Sequence, residues 1–266
     1  MSFAPLSINS VVLNSIHNVQ SQQNTIQTEL TNNKMILDPA AQGIVTRLST
    51  QISSYGAASG NISKASDINK VAQSGLSAIA SVLTQMQSLA GKANDTTMSA
   101  ADKDKLNQTF QALSKQINAL TESSQVDGVG LLGKNATDMK VQSGINSGDQ
   151  TTVTAQKSDT TTLGVDTLNI SATGNSATAM DTLKTAIDSV SASQSSLSAA
   201  QVGLDATQQN ITGVTDNLQN TVDRIEKPDA AKLQTKLVEL TTQQAINYFL
   251  INAMNQQAQS VLSLFR

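Results

Sequence analysis

Residues 183, 190, 197, 204, 211, 218 and 225 are Leu, Val, Leu, Leu, Ile, Leu and Ile, so one heptad position stays apolar through seven consecutive repeats. A seven-residue period held that long calls for one long helix with a narrow buried seam. The companion position reads Ile187, Gln194, Gln201, Gln208, Thr215 and Val222, apolar only at its ends. Those glutamines must sit close to the seam, so the helix needs neighbours on more than one side to satisfy their amides. If residues 178–226 are continuous, they span roughly 74 Å.

The rest of the chain has the same character. Val12, Ile16, Val19, Ile26, Leu30 and Leu37 follow an alternating four-three spacing that predicts a first helix, which "LDPAAQG" interrupts at Pro39. Ile44, Leu48, Ile52 and Tyr55, then Ile68, Ala72, Gly75, Ile79, Val82, Met86 and Leu89, predict a second long helix with room for a kink near "YGAASGN". Ser99 is a candidate N-cap for a shorter third helix with the stripe Leu106, Phe110, Leu113, Ile117 and Leu120. The glycines of "SSQVDGVGLLG" end it, and Thr-rich alternation in "MKVQSG" and "DQTTVTAQ" around a Gly and Asp turn predicts a small β-hairpin in the region near 139–170. After Pro228 a last stripe runs through Leu233, Leu237, Leu240, Ile251, Met254, Ala258, Val261 and Phe265. Pro39 and Pro228 lie almost equally far from the two ends, so the terminal helices are expected to be of equal length and to pair. The expected fold is mainly α: an elongated antiparallel helical-bundle rod, coiled-coil in its packing, with a small β-hairpin region.

Composition excludes much. With 38% hydrophobic and 2% aromatic residues the core is thin, and a net charge of −3 leaves no basic footprint for nucleic acid or an anionic membrane surface. There is no cysteine, hence no disulfide or thiolate chemistry. No stretch reaches the roughly 18 apolar residues of a membrane span, and "MSFAPLSINSVVLNSIHNVQ" lacks the basic and apolar regions of a secretory signal. His17, the single histidine, has no patterned ligands or carboxylates near it in the sequence and is given no role. The acidic residues of "SAADKDK" read as helix-start charges and the glycines of "DGVGLLGKN" as turn formers. No nucleophile, base and orienter constellation is visible, so the expectation is a non-enzyme without cofactor or metal.

Residues 1–28 and 240–265 contain no Asp, Glu, Lys or Arg. Apolar stripes with so little charge are poorly soluble alone and well suited to cover by other copies, where no charge has to be desolvated. The expected subunit-assembly residues are Val12, Ile16, Val19, Ile26, Leu30, Leu237, Leu240, Ile251, Met254, Val261, Leu264 and Phe265.

The text also resembles a family. "LSLFR" closes the chain much as bacterial flagellins close on a "VLSLL" type ending, and "DGVGLLG", "MKVQSGINSGDQTTVT" and "TLGVDTLNI" are similar to that family's "NGVKLL", "IQVGANDGETI" and "LGLDGLNV". The resemblance implies a short flagellin. A D0 layer would come from residues 1–41 with 229–266, and a D1 layer from residues 42–228. It implies a structural subunit polymerising with itself into a helical homopolymer, the extracellular flagellar filament of swimming motility. Its other partners would be the flagellar type III export apparatus, an export chaperone, and the filament cap and hook-associated proteins. A hook-filament junction protein and a flagellin-derived surface adhesin are the alternatives. Where many members carry "SGLRINSAKDDAAG" and "RIxDADYA", this chain has "NNKMILDPAAQG" and "RIEKPDAA", so it departs at the joint between the layers. Gln85 and Thr109 stand where an arginine and a glutamate contact a Toll-like receptor in recognised members, which implies weak receptor activation.

Overall fold

The computed structural model describes residues 4–264. Five helices carry the fold: α1 (Ala4–Asn32), α2 (Pro39–Ala93), α3 (Ala100–Ser123), α4 (Thr173–Glu226) and α5 (Ala230–Leu264). Between α3 and α4 lie two antiparallel strand pairs, β1 (Gln125–Val126) with β2 (Val129–Gly130), and β3 (Met139–Gln142) with β4 (Gln150–Val153). The chain packs as two units, Met1–Ser49 with Leu218–Arg266, and Thr50–Asn217.

In the terminal unit, α1 stops well before the proline. Asn33 adopts a left-handed conformation (φ 50°), and the Lys34 amide donates to the Glu29 carbonyl at 3.1 Å. That is the Schellman arrangement, which satisfies a helix-end carbonyl and reverses the chain. The buried Glu29 carboxylate accepts from the Ile36 amide at 2.9 Å, so the turn is tied from both sides. Pro39 then opens α2 rather than closing α1. Its fixed φ suits the first helical position, and Asp38 before it caps the helix by accepting from the Ala41 amide at 2.8 Å. Asp229 does the same for α5, accepting from Lys232 N–H at 3.1 Å directly after Pro228. α1 and α5 run antiparallel, as the pairs Gln20 with Tyr248, Gln23 with Thr241 and Ser15 with Asn247 require. The divide between the units falls further into α2 and α4 than the prolines suggest, since Val45 and Val222 are buried side chains of the terminal unit.

In the Thr50–Asn217 unit one continuous core joins α2, α3 and α4 with the β3–β4 hairpin. Ile62, Leu76, Ile79, Leu83 and Met86 of α2 meet Phe110 and Ile117 of α3 and Leu183, Val190, Leu197 and Leu204 of α4. Leu131, Leu132 and Ile170 close it. Gly75 marks the tightest approach: a Cβ there would overlap Ser124 Oγ and crowd Leu132. No break appears in α2 at "YGAASGN", where Gly56 and Gly60 lie inside the helix. Ser99 caps α3 as its sequence suggests, accepting from the Asp102 amide at 3.2 Å.

Two details go beyond the expected hairpin. The segment "VDGV" itself folds back as β1 and β2, with Asp127 and Gly128 both at positive φ (50° and 77°), the geometry that right-handed strand twist favours in a two-residue turn. The main hairpin pairs Met139–Gln142 with Gln150–Val153, inside the "MKVQSG" and "DQTTVTAQ" segments, with Val141 and Val153 turned into the core. Beyond it the backbone is irregular and is held by α3 instead of by a strand partner. Asn107 Oδ1 accepts from the Ile170 amide, Gln111 Nε2 donates to the Leu168 carbonyl, and Asn118 Oδ1 accepts from both Thr160 N and Oγ1, at 2.6 to 3.1 Å.

Candidate functional site

The feature that composition singles out is the charge-free terminal pair, and its geometry has two faces. Inside, Val19, Ile26 and Leu240 are buried together, with Leu30, Leu233 and Leu237 packed against them. Ile16 is buried as well, and Val12, Ile251 and Met254 are half-buried. Nine of the twelve residues expected for assembly are therefore at least partly covered within the chain. The other three, Val261, Leu264 and Phe265, lie outside the described residues for their side chains. Polar rungs flank the seam: Asn247, buried, donates to Ser15 Oγ at 3.1 Å. Val11, Ser15, Val19, Leu240 and Gln243 line a shallow groove of about 400 Å³ between the two helices.

Outside, a second apolar set faces solvent. Val238 and Phe249 are 67% and 72% exposed, Ile246, Tyr248 and Leu250 about half, and Val11 and Leu13 stand out from α1. Val238, Ile246 and Phe249 fall on one side of α5, at spacings of eight and three. The four-three stripe read from the sequence followed the inner face alone. The available signal for the outer one was "AINYFLINAM", apolar at nearly every helical angle. A helix apolar all round is one made to be enclosed. The nearest charges to this face are Lys236 and Glu239, which pair with each other at 2.9 Å at the start of the stretch.

Charge gathers at the other end of the pair. Lys34 pairs with Glu226 at 2.9 Å and Lys227 with Asp223 at 2.9 Å, both beside the Asn33 turn. The hydrogen bond from Lys227, followed by that from Gln219, lowers the Asp223 carboxyl below its ordinary range. Among the described residues no three acidic or histidine side chains are placed to hold a metal ion, and no helix is long and apolar enough to cross a membrane. His17 is exposed on α1. Gln85 on α2 and Thr109 on α3 are both exposed.

Residues 6–137 match the profile of the bacterial flagellin N-terminal helical region, and residues 180–265 match that of the bacterial flagellin C-terminal helical region. The chain belongs to the bacterial flagellin family. The flagellin of Escherichia coli O127:H6 is 26% identical over 184 residues, 66% of this chain and 33% of the relative. Phase 1 flagellin of Salmonella naestved is 29% identical over 133 residues, 50% of this chain and 26% of that protein. A crystal structure of Bacillus cereus flagellin superposes with a TM-score of 0.52 at 25% identity, covering 57% of this chain and 88% of that one. The chain spans about a third of the length of the Escherichia coli flagellin.

Proposed function

We propose that this flagellin is a structural, non-catalytic subunit that polymerises with itself into an extracellular flagellar filament. The observation that carries the reading is the outward face of α5: exposed Val238, Ile246 and Phe249 on a helix whose inner face already packs on α1. A neighbouring copy of the same chain would cover Ile246 and Phe249, which lie inside the charge-free stretch, without desolvating a charge, and a contact between two different patches repeats without closing, as a helical polymer needs. In this reading the inner residues Val12, Ile16, Val19, Ile26, Leu30, Leu237, Leu240, Ile251 and Met254 hold the helix pair in the shape the neighbours meet. Val261, Leu264 and Phe265 continue the same stripe. The terminal pair would be the D0 layer and the central unit D1. Passage through the flagellar type III export apparatus, with an export chaperone, and contact with cap and hook-associated proteins follow from the same reading.

Electron microscopy of the purified chain under polymerising conditions tests it. Long filaments of uniform diameter are expected. Closed rings, or persistent monomer at concentrations where flagellins assemble, would reject the filament reading.

A further inference from the structure

α4 repeats one pattern three times at seven-residue spacing, in which a buried aliphatic residue is followed two places on by alanine and four places on by glutamine. The copies begin at Val190, Leu197 and Leu204 and end at Gln194, Gln201 and Gln208. Every glutamine turns its amide onto a serine of α2. Gln194 Nε2 donates to Ser77 Oγ at 3.3 Å, Gln201 to Ser66 at 2.7 Å and Gln208 to Ser59 at 2.6 Å. Asn69 of α2 sits on the middle rung. It is 0% exposed, and its Nδ2 donates to the Leu197 carbonyl at 2.9 Å and to Gln201 Oε1 at 3.0 Å.

This ladder is not there for stability. Asn69 Oδ1 and Gln208 Oε1 are buried acceptors without a hydrogen-bond partner, and each such orphan is unfavourable where a leucine would pack freely. What the ladder supplies is discrimination. The apolar column of α4 alternates every three or four residues with the glutamine column, so a slide of one helical turn exchanges the two. Aliphatic side chains of similar size tolerate that exchange well, and one-turn slips of one element past another are a known, larger-scale mode of helix rearrangement. Asn69 does not tolerate it: a slid backbone still offers a carbonyl in place of that of Leu197, but a leucine replaces Gln201 and the fully buried amide loses its side-chain acceptor. Buried amides at seam positions serve this purpose in coiled coils, at a cost in stability.

We propose that Asn69, seated in this ladder, is a register lock that excludes one-turn slides of α4 along α2 within the Thr50–Asn217 unit. The chain has no cysteine, so a pair of spin labels can be placed cleanly at Ser63→Cys on α2 and Lys184→Cys on α4, both exposed. These sites are well separated along the helix pair, so a slide changes their distance by nearly its full length. The full chain, labelled and diluted with unlabelled protein, is expected to give one narrow distance. Asn69→Leu is expected to add a second population displaced by about 5 Å, one helical turn. Gln201→Leu, which removes an acceptor of Asn69 from a half-buried position and is less disruptive to folding, is expected to do the same. A second distance in either variant carries the proposal. A single unshifted distance in both overturns it.

Discussion

Asp159 shows how one side chain holds the irregular segment after the hairpin. It is buried, which by itself raises its pKa, but Thr162 Oγ1 donates to it at 2.6 Å and the Thr161 and Thr162 amides add two more hydrogen bonds, so the carboxyl ends below its ordinary value. A group with a depressed folded pKa stabilises the fold above the unfolded value near 3.9 and loses that contribution as pH falls through the folded one. Amide exchange at Thr161 and Thr162 is therefore expected to stay slow from neutral pH down to about pH 5. Relative to amides of the helical core it should quicken below about pH 4, while Asp159→Asn, lacking the charge, should show fast exchange at both pH values. Equal relative protection at pH 6 and pH 3 would remove Asp159 from this role. None of this was legible beforehand, because "SDTTTLG" reads as a plain polar loop and the burial that makes its aspartate matter comes from distant residues.

At the scale of the element, α5 separates two jobs that a single stripe in the sequence had merged. Leu240→Asp places a carboxylate in the seam with Val19 and Ile26, which costs several kcal/mol, on the order of breaking any buried apolar contact with an uncompensated charge. It is expected to lower helix content in the monomer and to abolish polymerisation. Phe249→Asp sits on the exposed face and should leave the circular dichroism of the monomer unchanged while blocking filament growth. Sedimentation of polymer, with the dichroism of the supernatant, distinguishes the two. If Phe249→Asp filaments form at the wild-type critical concentration, the outer face is not the contact. The sequence did reveal the helices themselves, since periodicity of three and four survives anywhere a stripe is buried: Phe110 and Ile117 of α3 and the heptad leucines of α4 are where that period puts them. It misplaced the end of α1 because a left-handed Asn33 leaves no signal as strong as a proline. It missed how the segment after the hairpin is held, because Asn107, Gln111 and Asn118 satisfy its backbone groups from a helix far away in sequence.

For the whole molecule, the two units are unequal in what holds them. The central unit has a single core running from Ala58 to Ile211, whereas the terminal helix pair is closed by Val19, Ile26 and Leu240 with three partly buried leucines around them. Local opening follows buried apolar contact, so amides in α1 and α5 are expected to exchange far faster in the monomer than those of α3, and to become slow in the polymer. Hydrogen exchange followed by mass spectrometry on both states checks it, and equal protection of α1 and α3 in a verified monomer would show that the terminal pair needs no neighbour. The anchoring of residues 156–170 has a further consequence, in time. Besides the bonds the segment makes within itself around Asp159, most of its hydrogen-bond partners lie on α3 and in the Leu131–Leu132 stretch, earlier in the chain, and only Ser176 and Ser196 of α4 come after it. A chain that leaves the ribosome, or any narrow channel, with its N-terminal side first therefore has most of those partners made before α4 arrives to complete the core. Only the pairing of α1 with α5 joins the first elements to the last, and it is the step that loop-closure entropy delays until the end.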